Sequence, residues 1–398
     1  MLSRFMRMFL LCVFLLSLAS PGFAARRSSL GGNLLIKDTD DVFFLPHRVA
    51  DYNRLVTFDM GTDNTLGSAG IIFGNESFVF GTFTHRSDFL GQIANAFFTI
   101  GDAQIGLDGT NDYFGAVDPP GPSPGPYQWF DFVFGWEGGG NPWGIRLAIG
   151  RNQLDQPGAG GDDKNDVTAF DIIVGFEISD IDLAAEFTYA GAKTDIAGTS
   201  VDESSPVGFA VAARKTAVED SDDLQLGWLG MFNYTSAGRD FTPDGGTKEE
   251  TDRSLTSFVF GAGPVYQPHE RTSVSAYGTL EYNRAHANDK TASTKATDTE
   301  YIIPGWHIAS EIELASWLQA RAGVVSRFVI THDKLETTAG EAKAQTSELE
   351  FDWHTGLGVQ LGDFMFDGYL NPSVLTTGTD LLGNSSQLFG MVTASYAF

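Results

Sequence analysis

Apolar and polar residues alternate with a period of two along most of the chain from residue 128 onward. The clearest segments are residues 128–136, 142–150, 168–178, 181–189 and 347–361. This period places successive side chains on opposite faces of a β-strand. Several of these segments carry charged residues, all on the face opposite the aromatic and aliphatic ones, and a dry core could not bury such charges without a large free-energy cost. The pattern predicts strands with an apolar outer face and a hydrated inner face.

The connections between these segments alternate in length, a short one and then a long one, six times over. The long ones are polar, rich in Gly, Asp, Thr and Lys, and cover residues 151–166, 191–204, 235–253, 284–297, 331–344 and 371–387. Short turns at one end and long loops at the other are typical of transmembrane β-barrels. Earlier strands are predicted at 54–60, 66–73 and 76–86, and residues 87–126 form one long external excursion. The sequence thus predicts an all-β, antiparallel up-and-down barrel of about sixteen strands, although fourteen or eighteen also fit.

The last ten residues alternate in the same way and end on an aromatic residue. Val392, Tyr396 and Phe398 share one face, and no residue follows Phe398. This ending resembles the closing strand of bacterial outer-membrane β-barrels of the porin kind. The resemblance implies that Tyr396 and Phe398 form the signal read by the barrel insertion machinery. It also implies an integral protein of the Gram-negative outer membrane, in contact with outer-membrane lipid and lipopolysaccharide.

The first residues have the features of a secretory signal. Arg4 and Arg7 precede an apolar run of about ten residues, and small residues follow at positions 22 and 24. The apolar run is too short to span a bilayer as a helix. We therefore expect a cleaved signal at 1–24, a barrel at 54–398, and a non-strand segment at 25–53. Residues 38–46 faintly resemble the stretch before the first strand of long-chain fatty-acid transport barrels, so this segment is either a periplasmic tail or a partial plug.

Composition and motifs narrow the chemistry. With 51 acidic and 25 basic residues the net charge is −26, which disfavours nucleic-acid binding. The single cysteine, Cys12, lies in the signal, so the remaining chain has no thiolate metal site. A G-x-S-x-G match at 121–125 has Pro124 after its serine, and Pro124 has no N–H to donate to an oxyanion. The acidic run 158–166 lacks the ligand spacing of a calcium loop. We expect no metal, no cofactor and no enzymatic activity.

Charged residues predicted on the inner face are the candidate functional residues. The basic ones are Arg146, Arg214, Arg321 and Arg327, and the acidic ones include Asp131, Asp171, Glu177, Glu311, Glu348, Glu350 and Asp352. They could form a transverse field at a constriction, or cross-strand ion pairs that hold the barrel round.

The leading hypothesis is a passive channel for small hydrophilic solutes that prefers cations, because inner acids outnumber inner arginines. A plugged transporter of hydrophobic compounds and a non-conducting surface protein are the alternatives. Association into a homo-oligomer is left open.

Overall fold

In a computed structural model, the described residues form a closed barrel of sixteen antiparallel strands. The structure describes residues 25–61, 68–75, 77–84, 128–138, 140–158, 161–196, 199–216, 224–242, 246–269, 271–291, 293–370 and 389–398. Each strand pairs with its neighbours in sequence, and β1 pairs with β16 to close the wall. The predicted fold class and strand number are confirmed. The predicted signal and the excursion at 87–126 lie outside the described residues.

The strands differ greatly in length around the wall. They are β1 (Leu55–Gly61), β2 (Ser68–Gly74), β3 (Phe78–Thr84), β4 (Gln128–Gly138), β5 (Asn141–Gly158), β6 (Gly161–Ile178), β7 (Ile181–Ile196), β8 (Thr199–Lys215), β9 (Gln225–Thr242), β10 (Glu249–His269), β11 (Thr272–Asp289), β12 (Thr294–Ala315), β13 (Leu318–Thr337), β14 (Gly340–Leu361), β15 (Phe364–Leu370) and β16 (Phe389–Ala397). Because about 9–11 residues suffice to cross a bilayer, β5 to β14 extend beyond it.

This extension corrects the predicted loops. Most of the polar stretches at 151–166, 191–204, 235–253, 284–297 and 331–344 are paired strand rather than loop. The pairing of β5 with β6, for example, continues from Trp143 opposite Phe176 to Gly158 opposite Gly161. Above the membrane both faces of a hairpin meet water, so the apolar alternation disappears while the backbone hydrogen bonds continue. Polarity alone therefore does not distinguish a projecting hairpin from a loop.

The outer face of the wall is apolar. Large apolar side chains on it that are between 44% and 49% exposed include Phe58, Phe130, Ile149, Phe187, Phe258 and Leu280. On β14 the outer face changes from Lys343, Gln345 and Ser347 to Leu349, Phe351 and Trp353, which marks the external edge of the apolar band. A closed sheet also leaves no unpaired backbone edge for lipid to cover. The wall therefore fits a bilayer on its outer side.

No helix in the described part of the chain is long and apolar enough to cross a membrane.

The predicted assembly residues lie at the closing seam. Tyr396 pairs with Val56 on β1 and with Phe364 on β15, and its ring lies 4.4 Å from the Phe364 ring. The Phe398 N–H donates to the carbonyl oxygen of Arg54 at 3.0 Å. The end of the chain thus joins both neighbouring strands, while its role as an insertion signal stays a prediction.

Residues 25–53 lie against the inner face of the barrel near the connections from β4 to β5, from β6 to β7 and from β14 to β15. These are among the connections predicted to be short, and we call this end of the barrel the short-turn end. Within them are helix α1 (Ala25–Ser29), helix α2 (Asp41–Phe44) and a 3-10 helix (Pro46–Tyr52). The Ala25 N–H donates to Thr393 Oγ1 on β16 at 2.9 Å, and the 3-10 helix packs on β3 to β6. A Cβ at Gly144 would lie 2.2 Å from the backbone nitrogen of His47, so only glycine lets the two backbones approach this closely. We refer to residues 25–53 as the inner segment.

The apolar band can be tested with a charge placed on it. Leu147→Arg should destabilise the folded barrel by about 2–4 kcal/mol, because Leu147 lies inside the apolar outer run of β5 at 143–149 and the change puts a guanidinium near the bilayer midplane. Ser347→Arg, on the outer face above the band, is the matched control and should change stability little. The measurement is denaturant unfolding from lipid vesicles, followed by tryptophan fluorescence. Equal losses for the two variants would contradict this position of the band.

Candidate functional site at the inner segment

Arg146 joins β5, β4 and the inner segment at one point. Its side chain is fully buried and contacts Asp131 on the adjacent strand. Its Nη1 also donates to the carbonyl oxygen of Phe43 at 2.7 Å, and its guanidinium lies 5.3 Å from the centre of the Phe43 ring. Asp131 and Arg146 are thus a cross-strand pair that also holds α2.

Arg214 makes the second connection between the wall and the inner segment, and it pairs with two carboxylates, one from each. It donates to Asp182 Oδ2 on β7 at 3.0 Å, to Asp41 Oδ2 at 2.8 Å and to the carbonyl oxygen of Leu34 at 3.1 Å. Asp41 also accepts from Arg27 within the inner segment. Burial opposes ionisation of Asp41, but the guanidiniums of Arg214 and Arg27 outweigh it and lower the Asp41 pKa. Asp41 is therefore an ionised, fully buried anchor.

The 3-10 helix adds a third cluster around the same wall carboxylate. His47 Nε2 lies 2.8 Å from Asp182 Oδ1, and Arg48 Nη2 bridges Asp182 at 2.6 Å and Glu177 at 2.8 Å. The ligand atoms of His47, Glu177 and Asp182 lie within 4.8 Å of one another, as metal ligands would. Arg48 and Arg214 already neutralise these carboxylates, so a cation would have to displace a guanidinium. The cluster therefore suits docking of the inner segment better than metal binding.

Arg321 makes the fourth connection, on the opposite side of the barrel. It contacts Glu311 on β12 and Asp367 on β15. Arg26 of the inner segment reaches the same Glu311 with two bonds, at 3.0 and 3.2 Å. Two guanidiniums, one from the wall and one from the inner segment, thus share one carboxylate.

The remaining predicted lumen residues lie away from this docking surface. Arg327 pairs with Glu350 at 2.9 Å and lies 3.9 Å from Asp352, and Glu348 is exposed. Asp171 accepts from Thr188 Oγ1 at 2.9 Å, and Glu186 lies 3.2 Å from the same hydroxyl. Each of the four predicted arginines forms an ion pair with an adjacent strand of the wall, as the cross-strand interpretation describes, and Arg321 also reaches Asp367 two strands away.

Sequence reasoning missed the partners that the inner segment contributes. These are Arg26, Arg27, Asp41, His47 and Arg48. The available signal was the density of charge in a stretch without strand pattern, where basic residues flank the acidic run at 38–41. A solvated tail would explain the same composition, so the charges alone could not assign them to the lumen.

A closed wall, an apolar outer band and buried charge pairs inside define the class of protein. It is a transmembrane β-barrel, the fold by which proteins cross bacterial outer membranes. Neither a protein-family model nor a curated protein matches the sequence.

Solved structures with a similar fold are also outer-membrane proteins. The toluene transporter TodX of Pseudomonas putida is 10% identical over 96% of this chain and 100% of its own, with a TM-score of 0.37. The CymD monoaromatic hydrocarbon channel is 7% identical over 96% and 98%, also with a TM-score of 0.37. OmpT, an outer membrane protein of Vibrio cholerae, is 12% identical over 87% and 97%, with a TM-score of 0.34. Similarities this distant carry no argument about function.

The prediction that this chain is not an enzyme is wrong as an exclusion. OmpT occurs in several forms among the similar structures, and a barrel of this fold is compatible with enzymatic activity as well as with transport. The G-x-S-x-G match at 121–125, on which part of the exclusion depended, lies outside the described residues.

The buried pairs can be tested by removing one shared partner. Asp41→Asn removes the carboxylate that Arg27 and Arg214 share, leaving Arg214 paired with Asp182 alone among the described residues, and should weaken docking of the inner segment by about 3–5 kcal/mol. Val42→Cys introduces a thiol that is the only one after residue 12. Maleimide should label this thiol at least about a hundredfold faster when Asp41→Asn is also present than when it is not. Asp51→Asn is the control, because the side chain of Asp51 is 42% exposed and its ion pair with Arg48 is only partly buried. Equal labelling rates would contradict the anchoring role.

The lowered pKa of Asp41 also predicts a pH dependence. Its carboxylate stabilises the docked segment fully above its ordinary value of 3.8, and this contribution is lost as the pH falls through the lowered pKa. Channel recordings should therefore show a closed protein from pH 8 to pH 5 and openings only at pH values below about 3.8. Asp41→Asn should open already at neutral pH. Openings of the unmodified protein near pH 6 would contradict this prediction, because a group other than Asp41 would then govern opening.

Proposed function

We propose that this protein is an outer-membrane transporter of small, predominantly apolar compounds, closed at the periplasmic end by the inner segment. The observation that carries the proposal is the burial of residues 25–53 against the inner face of the wall. Leu30, Leu35, Val42, Leu45 and Val49 are each at most 2% exposed. In barrels of this class the short turns face the periplasm, so the inner segment stands between the lumen and the periplasm.

The fastening of the inner segment suits a part that moves without unfolding the wall. Its strongest contacts are ion pairs and hydrogen bonds at separate points on β5, β8 and β12. Buried ion pairs contribute little net stability because desolvation opposes their attraction. A segment held in this way can leave the wall at moderate cost when a ligand or partner compensates the charges.

An apolar surface on β9, β10 and β11 supports an apolar cargo. Leu34 and Leu35 of the inner segment pack in one cluster with wall residues that include Leu229, Met231, Leu255, Val259, Tyr277 and Ala285. A barrel for hydrophilic solutes alone has no need of such a surface on its inner face. A compound passing the inner segment would meet this surface when Leu34 and Leu35 withdraw.

The open, cation-preferring channel has less support. The inner arginines and their acids are engaged in pairs, so they do not face each other as separate walls of a water-filled constriction. Acids higher in the lumen would still favour cations if a path opened.

Planar bilayer recordings test the closure. The unmodified protein should give few or no stable steps at neutral pH, and deletion of residues 25–53 should give large, steady steps. Heat-dependent gel migration must show that the deletion variant is still a folded barrel. A peptide of residues 25–53 added to the short-turn side should block the deletion variant again. Steady conductance of the unmodified protein would overturn the proposal.

Uptake measurements test the cargo class. Cells that produce the protein should take up a small aromatic hydrocarbon faster than cells without it, because the apolar surface offers a path through the outer membrane. Uptake of a sugar of similar mass should not change. Faster sugar uptake without any effect on the hydrocarbon would favour the hydrophilic channel instead.

A further inference from the structure

Three polar side chains form a row on the inner face of three neighbouring strands. Ser257 on β10 lies opposite Asn283 on β11, and Asn283 lies opposite Glu300 on β12. They are 0%, 1% and 5% exposed, whereas Phe258 and Leu280, next to the row on the other face, are exposed. The row is farther from the short-turn end than the apolar cluster residues Leu229 and Tyr277, so it lies on the external side of the inner segment.

Two atoms of this row lack a hydrogen-bond partner among the described residues. They are Ser257 Oγ and Asn283 Oδ1. Asn283 Nδ2 donates to Glu300 Oε1 at 3.1 Å, so the amide is oriented with its oxygen away from that contact. Buried polar atoms without partners cost folding free energy, and native proteins seldom keep them without a reason. A ligand that donates hydrogen bonds would satisfy both.

The surroundings of the row are apolar and acidic. Met231, Leu255, Val259 and Ala285 lie beside it on the same inner surface, and each is at most 8% exposed. Glu281 and Asp298 flank the row on β11 and β12 and are also buried. Arg327, the lumen arginine of the next strand, is paired with Glu350 at 2.9 Å. The site therefore offers an apolar surface, hydrogen-bond acceptors and an excess of negative charge.

We propose that Ser257, Asn283 and Glu300 bind the protonated amino group of a small apolar amine, which is then the preferred cargo. This inference rests on the proposed transport of apolar compounds and names their class. An ammonium group has three N–H donors and no acceptor, which matches the Ser257 hydroxyl oxygen, the Asn283 carbonyl oxygen and the Glu300 carboxylate. The apolar body of the amine would lie on Met231 and Val259. A carboxylate ligand would be repelled by Asp298 and Glu300.

Calorimetric titration of the full chain in detergent micelles tests the amine site. Three probes of similar shape differ in their polar group: 2-phenylethylamine, 2-phenylethanol and 3-phenylpropanoate. The amine should bind at least about tenfold more tightly than the alcohol, because a hydrogen bond to a charged group is stronger than one between neutral groups. The acid should bind more weakly than the alcohol.

Variants separate a ligand site from a purely structural row. Ser257→Ala and Asn283→Leu should each weaken binding of 2-phenylethylamine about tenfold. Ser257→Ala should leave thermal stability unchanged or raised, because its hydroxyl has no partner to lose within the described chain. Ser326→Ala, on the opposite face of β13, is the matched control and should change neither quantity. A Ser257→Ala variant that loses stability and keeps its amine affinity would overturn the proposal.

The probe series also separates this inference from the proposed function. Equal affinity for all three probes, or a preference for the alcohol or the acid, would refute the amine site. The plugged transporter would survive that result, because the conductance of the deletion variant decides it independently. Amine binding together with steady conductance of the unmodified protein would keep the site and refute the closure.

Discussion

Buried guanidinium groups impose the constraint on which the lumen of this barrel depends. Arg146, Arg214 and Arg321 are at most 3% exposed, and a guanidinium so far from water must be paired and hydrogen-bonded on several sides. The wall supplies part of what each needs: Asp131 for Arg146, Asp182 for Arg214, and both Glu311 and Asp367 for Arg321. The rest comes from residues 25–53 for Arg146 and Arg214, while Arg26 joins Arg321 on Glu311. The wall and the inner segment therefore complete each other's charge pairs.

This arrangement divides the lumen into two regions with different chemistry. At the short-turn end, the helices of the inner segment and their ion pairs occupy the interior. On the external side of the inner segment, β9 to β12 present apolar side chains beside a row of hydrogen-bonding groups. Under the proposed function, the first region would control passage and the second would select the cargo. Each has its own physical basis, because paired charges hold a segment reversibly while unpaired acceptors and apolar surface attract a ligand.

The strands of the wall could be predicted because the alternation of side chains along a strand is a local property of the sequence. A period of two sets the face of every residue once a strand exists, so Phe130, Asp131 and Phe132 are assigned without any knowledge of the neighbours. The same rule fails where both faces meet water, and for that reason the projecting parts of β5 to β14 were predicted as loops. The cross-strand pairs Asp131–Arg146 and Glu311–Arg321 were also predictable, since a short turn places its two strands next to each other. Glu311 lies directly opposite Arg321, and Asp131 lies diagonally from Arg146.

The sequence by itself determined the barrel, its apolar outer face and the identity of the charges turned inward. Only the tertiary structure decided which of those charges meet the inner segment. Asp41 and Arg214 are 173 residues apart and belong to no common strand pair, so no periodicity relates them. Their contact depends on the path that a segment without regular pattern takes through the lumen. That path depends on the contacts of Phe43, Leu45 and His47 with several strands of the wall at once, and no local pattern in the sequence describes such contacts.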